Sequence, residues 1–218
     1  MRILGGWHED PLWASVYGWL VEHRRVGGVA WRLGLGTDLG LLYDAVREVG
    51  RLPAGSRVLD VPTGNGVAMR GIVPGQGLDY LAVDISAPML GRALSTARRL
   101  GVDDQVTPVV ADAGDLPLED RTVDLVASFT GLHCFPDPHR AVAEMVRVLR
   151  PGGVLTGSSM FTDTGLAHAP ARRMGTLAGV LGPMCSTREL VDQLAREGCR
   201  EIDLHLSGGL GYFRAVAS

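Results

Sequence analysis

Short apolar runs that alternate with helical stretches dominate the chain after residue 53. Five of these runs are rich in Val and Leu and are bounded by turn residues, which is typical of buried strands: 57–61, 80–83, 106–110, 123–128 and 154–158. Helical periodicity between them is clearest at residues 89–100 and 140–149, and Pro151 and Gly152 end the second stretch. Strands that alternate with helices pair in parallel, so the pattern predicts a doubly wound α/β sheet.

The pattern changes in the last segment of the chain. Ser186 and Glu189 have the spacing of a capping box, and an amphipathic helix that ends near Gly198 follows them. Two strands come next, at residues 201–206 and 212–217, and the linker between them is too short for a crossover helix. We therefore expect this last pair of strands to be antiparallel.

A segment rich in large side chains precedes the first strand. Residues 10–49 have helical periodicity with glycine-rich breaks near 27–28 and 34–36, and all four tryptophans lie before residue 32. We predict one structural domain, in which residues 1–52 form a helical lid and residues 53–218 form the main body. Trp13 and Tyr17 are four residues apart and share a helix face, so they either line an apolar substrate pocket or pack the lid onto the body.

Composition narrows the classes of partner. The 218 residues are 46% hydrophobic and 21% charged with a formal net charge of −3, which describes an ordinary soluble globular protein. Arginines are scattered rather than gathered on one face, so a nucleic-acid substrate is disfavoured. The beginning of the chain lacks the apolar core of a signal peptide, and no apolar stretch of about 18 residues occurs, so we expect neither export nor membrane insertion. Three cysteines without CxxC spacing indicate neither a disulfide framework nor a zinc site, and a reducing cytoplasm fits best.

The strongest local signal is the nine-residue sequence VLDVPTGNG at residues 58–66. It describes a strand that ends in Asp60 and continues into a glycine turn, which lets ligand atoms approach the backbone closely. In open α/β sheets the ligand crevice lies beyond the carboxyl ends of the strands, where this turn falls. A P-loop is excluded because the chain contains no lysine, and a G-x-G-x-x-G dinucleotide motif fits poorly because Met69 occupies the third glycine position.

Two further acids follow the next two predicted strands. Asp84 follows the second strand, where a carboxylate can accept both hydroxyls of a ribose. Asp112 follows the third strand and can accept a hydrogen bond from an adenine amino group, while the N–H of Ala113 can donate to the ring. Each acid taken singly is explained as well by a helix cap or a solvated loop position. Three acids at successive strand ends, Asp60 included, indicate one common ligand site.

The order of these motifs resembles that of the class I S-adenosylmethionine (SAM) dependent methyltransferases. It is most similar to the small-molecule branch that includes the ubiquinone and menaquinone biosynthesis C-methyltransferases. The resemblance covers residues 56–218 and is closest at 115–137 and 144–153. It implies a Rossmann-like sheet of seven strands in the order 3-2-1-4-5-7-6, with SAM as cofactor and a small organic molecule as methyl acceptor. The alternative is a SAM-binding protein of the same fold that transfers no methyl group, either a cyclase or a regulatory binder; a dehydrogenase would bind nicotinamide instead.

The resemblance also implies roles for individual positions. The glycine turn would hold the methionine moiety of SAM through Gly64, Asn65 and Gly66. Asp60 would support this turn. Asp84 would bind the ribose. Asp112 and Ala113 would bind the adenine, and Phe129 would flank the cofactor.

Two positions raise separate questions. Pro62 stands where the family usually has its first glycine; proline keeps the turn but removes an N–H, and we expect it to be a tolerated variant. His133 follows the fourth strand, and histidine titrates near neutral pH, which makes it the candidate catalytic base. A structural hydrogen bond is the competing interpretation of His133. No residue pattern identifies the acceptor atom or the oligomeric state.

Overall fold

The computed structural model describes residues 24–164 and 181–218, together with residues 167, 169, 172, 173 and 176. Within these residues a single mixed sheet has the strand order 3-2-1-4-5-7-6, as the sequence predicted. Strands β1 to β5 run parallel, and β7 is antiparallel to both β5 and β6. The strands are β1 (Arg57–Asp60), β2 (Asp79–Asp84), β3 (Val106–Val110), β4 (Val123–Phe129), β5 (Leu149–Ser159), β6 (Arg200–Ser207) and β7 (Leu210–Val216).

Helices of the described residues begin where side chains can cap them. Asp137 accepts a hydrogen bond from the Arg140 N–H at the start of one helix, and Ser186 and Glu189 form the capping box that the sequence predicted. Gly101, in the left-handed conformation at a φ of 68°, ends another. The helices are α1 (Arg24–Leu35), α2 (Leu39–Val46), α3 (Ala87–Leu100), α4 (Pro138–Val148) and α5 (Thr187–Arg196).

Three local expectations were wrong. Helix α1 continues through residues 27–28, where the glycines predicted a break, and ends at the second glycine-rich position, where Gly36 has a φ of 64°. Only a short 3₁₀ turn, Ala68–Gly71, follows β1 in place of a full helix, since glycines and a proline interrupt the connection to β2. No α-helix lies between β3 and β4.

A single arginine holds the connection between β3 and β4. Arg147 on α4 donates to the carboxylates of Glu144 and Asp120 and to the backbone carbonyls of Leu116 and Leu118, at distances of 2.6–3.1 Å. A guanidinium has five donors in a rigid fork, so one side chain can bind several acceptors of an irregular loop. This connection leads from Asp112 back into the sheet.

Apolar side chains bury both faces of the sheet. Helices α4 and α5 cover one face, where Leu59 and Val83 pack with Met145 and Leu194. Helix α3 covers the other face in a cluster that includes Tyr80. No helix within the described residues is long and apolar enough to span a bilayer.

The two N-terminal helices that the structure describes dock against the end of the sheet. Trp31 and Leu42 pack with Phe129 of β4 and Leu210 of β7. The Leu35 carbonyl at the end of α1 accepts a hydrogen bond from the Gly209 N–H in the turn between β6 and β7, at 2.6 Å. Helices α1 and α2 are therefore fixed to the body of the fold beside the carboxyl end of β4.

Candidate cofactor site

Parallel pairing brings the predicted acids to one edge of the sheet. Asp60 at the end of β1 pairs with Ala82 of β2, and Asp84 at the end of β2 pairs with Val110 of β3. Asp112 follows β3 directly after this pairing. The three acids therefore lie at the carboxyl ends of three neighbouring strands, where open α/β sheets bind ligands.

The glycine turn after β1 is built as the sequence indicated. The Gly66 N–H donates to the Thr63 carbonyl at 2.8 Å, and Gly64 and Gly66 have φ angles of 51° and 76°, which favour glycine. A Cβ at Gly66 would lie 2.7 Å from the Sδ of Met69, whereas a Cβ at Gly64 would meet nothing within 4 Å. The backbone at Gly64 thus faces open space, and the partly buried Asn65 follows it in the same turn.

Asp84 joins this turn to the start of α3. Its Oδ2 accepts from the Gly64 N–H at 3.0 Å, and its Oδ1 accepts from the Ser86 N–H at 2.9 Å. Only 7% of the residue is exposed. A carboxylate offers about four lone-pair sites and can accept several hydrogen bonds at once.

Asp60 lies beneath the turn in a polar cluster that is enclosed by protein. Its Oδ2 accepts from the Thr63 hydroxyl at 2.6 Å and from the Tyr80 hydroxyl at 2.8 Å. Burial raises the pKa of Asp60 to about 7 against the opposing effect of these two hydrogen bonds, and the charge of Asp84 raises it further. Burial and the neighbouring Asp60 also hold the pKa of Tyr80 well above its usual value, so the phenol stays a donor.

Sequence analysis missed Tyr80. It counted there only as an apolar residue of a buried strand, although a hydroxyl inside such a strand needs a partner. This need for a hydrogen-bond partner is the feature of the sequence that could have marked Tyr80 as part of the site. The identity of the partner depends on the register between β1 and β2, in which Tyr80 pairs with Val58 two residues before Asp60.

The adenine candidates lie in the turn that follows β3. Asp112 is exposed, its Oδ1 accepts from the Gly114 N–H at 2.8 Å, and its carbonyl accepts from the Asp115 N–H at 3.0 Å. Ala113 is buried. Ile85, next to Asp84, exposes 48% of its surface at the same edge. Sequence analysis did not single it out.

The carboxyl end of β4 has a distinctive backbone. Phe129 is buried among the side chains that pack with Trp31 and Leu42. Thr130 has a φ of 54°, which is rare for a β-branched residue. A Cβ at Gly131 would lie 3.0 Å from the Pro62 Cγ and would overlap the Pro62 Cδ. Pro62, whose peptide bond with Val61 is cis, therefore packs directly onto the backbone of Gly131.

His133 lies in the 3₁₀ turn Leu132–Cys134 and is 7% exposed. Its Nδ1 is 3.0 Å from the Ser159 hydroxyl and 3.2 Å from the Met160 nitrogen, whose N–H donates to it. Burial lowers the pKa of His133 to about 4, so the ring is neutral at pH 7. Because Nδ1 accepts from the Met160 N–H, the proton of the neutral ring is on Nε2, which can then only donate. This geometry favours the structural interpretation of His133.

Two predicted pocket residues, Trp13 and Tyr17, lie outside the described residues. The remaining site residues fall into three groups, one of which consists of Phe129 at the end of β4 and His133 in the turn after it. Another group, whose members are hydrogen-bonded or contiguous in the chain, consists of Asp60, Gly64, Asn65, Gly66 and Asp84. A neighbouring group, one strand away, consists of Asp112 and Ala113.

Comparison with known proteins finds similarity to methyltransferases. Residues 59–156 match the family model Methyltransf_11, a methyltransferase domain. The chain is 37% identical over 111 residues to 27-O-demethylrifamycin SV methyltransferase of Amycolatopsis mediterranei, covering 50% of this chain and 41% of that protein. It is 40% identical over 102 residues to demethylmenaquinone methyltransferase of Clavibacter sepedonicus, covering 46% and 39%.

Solved structures share the fold at low sequence identity. Phosphoethanolamine N-methyltransferase 2 of Haemonchus contortus, solved with S-adenosyl-L-methionine, gives a TM-score of 0.73 at 17% identity, covering 94% of this chain and 56% of that one. The [4+2]-cyclase SpnF gives a TM-score of 0.66 at 20% identity, covering 83% and 81%.

The chain thus has the Rossmann-like fold of the class I methyltransferases. Residues 59–156 carry the similarity to a methyltransferase domain, and the two relatives named above are methyltransferases, in line with the resemblance seen in the sequence. The chain spans about two fifths of the length of the two relatives named above.

Proposed function

We propose that this protein transfers a methyl group from SAM to a small organic acceptor. The observation that carries the proposal is the hydrogen-bonded unit of Asp84 and the glycine turn, in which Gly64 presents open backbone at the crevice edge. Asp60 lies directly beneath that turn. A carboxylate beside exposed loop backbone at a strand end suits a ligand that combines ribose hydroxyls with a zwitterionic tail.

Within this proposal, each part of the cofactor has a distinct set of partners. The turn of Gly64, Asn65 and Gly66 binds the methionine moiety, and Asp60 contributes negative charge beneath it. Asp84, which the Gly64 and Ser86 N–H groups hold in place, binds the ribose hydroxyls through its carboxylate.

The adenine site is proposed at the ends of β2 and β3. Asp112 accepts from the exocyclic amino group, Ala113 donates through its N–H, and Phe129 flanks the cofactor from the end of β4. The exposed side chain of Ile85 supplies apolar surface on which a purine ring can pack.

SAM supplies a methyl group that its sulfonium already activates. The chain's own residues then have three tasks: to orient the cofactor, to place an acceptor in line with the methyl group, and to exclude water. Residues 1–52 form the proposed lid over the body of residues 53–218, and Trp13 and Tyr17 are proposed to line the acceptor pocket. The docking of α1 and α2 beside the end of β4 supports a lid at this place.

His133 remains the candidate for a proton-handling residue. Its hydrogen bonds with Ser159 and Met160 support a role in fixing the chain after β4 more than a role as base. An acceptor that enters as an anion or as a carbon nucleophile with a labile proton needs no strong base from the protein.

A second function is favoured by one specific observation. SpnF, a [4+2]-cyclase, shares the fold over most of both chains. A protein of this fold can therefore catalyse a reaction other than methyl transfer. This alternative predicts tight SAM binding without formation of S-adenosylhomocysteine (SAH).

The test combines cofactor retention with turnover. Native mass spectrometry of the purified protein is expected to show retained SAM or SAH, and SAH is expected to accumulate when phenolic, quinone and amine acceptors are screened. Asp84→Ala serves as the binding-deficient control. Absence of SAM binding would refute the proposal, whereas SAM binding with no SAH from any acceptor would favour the cyclase or regulatory alternative.

The proposed partner is a small molecule rather than a nucleic acid or a membrane, in line with the net charge of −3. The proposed compartment is the cytoplasm. Cys134, Cys185 and Cys199 are all free thiols in the structure, which suits a reducing environment.

A further inference from the structure

Tyr80 lies outside every role assigned above, yet it is one of the most deeply enclosed polar side chains of the sheet. It is 0% exposed, and its ring packs in the cluster under α3. Its hydroxyl is 2.8 Å from the Oδ2 of Asp60. A buried tyrosine that contributed only apolar packing would leave this hydroxyl without a purpose, because phenylalanine fills nearly the same volume.

The hydrogen bonds of Asp60 are arranged asymmetrically. Thr63 and Tyr80 both donate to Oδ2, at 2.6 and 2.8 Å, and none of the residues that the structure describes donates to Oδ1. Two donors on one oxygen fix the plane of the carboxyl group. The charge of the fixed carboxylate then acts on the glycine turn above it from a defined position.

The charges around Asp60 come from two elements. On β2, Tyr80 remains a neutral donor and Asp84, at the end of the strand, carries negative charge, while the glycine turn contributes the hydroxyl of Thr63. The described residues of β4 that pair with β1 are Leu125, Val126 and Ala127, which carry no charge. The two hydroxyl donors favour the ionised form of Asp60, and burial and Asp84 oppose it.

We infer that Tyr80 is a positioning residue for cofactor binding: through its hydrogen bond it orients the Asp60 carboxylate and keeps it ionised, so that it can attract a cationic centre of SAM. This inference rests on the proposed function. The pKa of about 7 that burial sets for Asp60 agrees with it, because small changes in hydrogen bonding then alter the charge at physiological pH. SAM has two such centres, its sulfonium and its amino group.

The test is the pH dependence of SAM affinity, measured by calorimetry on wild type and Tyr80→Phe. Loss of one donor is expected to raise the pKa of Asp60 by about one unit. SAM affinity of the variant should then be about tenfold lower at pH 6, about fivefold lower at pH 7 and within about twofold of wild type at pH 9. The effect of the cofactor's own ionisation on SAM affinity is the same for wild type and Tyr80→Phe, so it cancels in the ratio of their affinities. Tyr43→Phe on α2 is the matched control and should follow wild type.

Three further variants and one further ligand sharpen the test. Thr63→Val removes the second donor to the same oxygen and should shift the profile in the same direction, so it carries the test if Tyr80→Phe does not fold. In an Asp60→Asn background, Tyr80→Phe should leave the pH profile unchanged. With SAH as the ligand, the pH-dependent difference should vanish if Asp60 attracts the sulfonium and persist if it attracts the amino group.

Identical pH profiles for wild type, Tyr80→Phe and Thr63→Val would overturn the inference while leaving the proposed function intact. A uniform loss of affinity in Tyr80→Phe at every pH would also overturn it, since this outcome describes packing alone. Failure of the wild-type protein to bind SAM at any pH would overturn the proposed function and the inference together.

Discussion

Replacing Asp60 by Asn should stabilise the cofactor-free protein at alkaline pH. Asp60 is 2% exposed, and burial raises its pKa to about 7 from an ordinary value of 3.8. The folded state therefore holds more protons than the unfolded state between about pH 4 and pH 7, and stability must fall as the pH rises through this window. The amide of Asn keeps an acceptor oxygen for Thr63 and Tyr80 but never acquires the buried charge.

The magnitude follows from these two pKa values. Integrated from pH 5 to pH 8, they correspond to a loss of about 2.5 kcal/mol in the free energy of unfolding of wild type that Asp60→Asn does not share. Any fixed cost of placing the amide in the cluster is the same at both pH values. The stability difference between variant and wild type should therefore shift by about 2.5 kcal/mol in favour of the variant between pH 5 and pH 8.

Urea unfolding at pH 5 and pH 8, followed by circular dichroism without added cofactor, measures this shift. Asp104→Asn removes one exposed carboxylate and controls for the change in net charge. A difference between Asp60→Asn and wild type that is equal at the two pH values would refute the reasoning, because Asp60 would then titrate alike in the folded and unfolded states. The same variant should bind SAM more weakly, which would make Asp60 a case of stability sacrificed for function.

Four other substitutions test three separate parts of the site. Asp84→Ala should weaken SAM binding by about tenfold to a hundredfold in calorimetry, since it removes a charge-assisted acceptor; unchanged affinity would exclude Asp84 from the site. Gly131→Ala should cost about 1–3 kcal/mol of stability in urea unfolding because the new Cβ overlaps Pro62. Adding Pro62→Gly to this variant should recover part of the loss. Strictly additive effects of the two substitutions would show that the residues are uncoupled. His133→Ala should lower stability by about 1–3 kcal/mol and leave SAM affinity nearly unchanged, and a loss of kcat by a hundredfold or more with stability retained would instead make His133 the base.

Local sequence patterns were sufficient for the architecture of this protein. Strands β1, β2 and β4 are short apolar runs that lie almost wholly buried in the sheet, and the alternation of runs and helical stretches restricts the connections to right-handed crossovers. The short linker at residues 208–209 left the last two strands no geometry except an antiparallel pair. The positions of Asp60 and Asp84 at strand ends followed from the same alternation, because the carboxyl ends of parallel strands meet at one edge.

The sequence was a poorer guide where breakers and helix formers compete. Gly27 and Gly28 predicted a break, yet α1 continues through them, since the packing of its neighbour Trp31 against the sheet outweighs a propensity cost of about 1 kcal/mol per glycine. The connection from β3 to β4 has no helix because Arg147 satisfies its carbonyls instead. That contact joins residues about thirty positions apart, which no local window contains.

The environment of each site residue was decided by tertiary structure alone. Residue types and spacing identify Asp60 as an acid at a strand end, but only the register of β1 on β2 brings the Tyr80 hydroxyl to it. Spacing likewise marks His133 as a histidine near the crevice, whereas its neutral state and its bonds to Ser159 and Met160 depend on the packing of β5. The sequence by itself determined which segments are strands and where the acids lie, since these follow from local apolarity, whereas the order of the strands in the sheet was implied by the resemblance to the methyltransferases. Charge state and hydrogen bonding depend on burial and on atoms brought from distant parts of the chain, and these exist only in the folded protein.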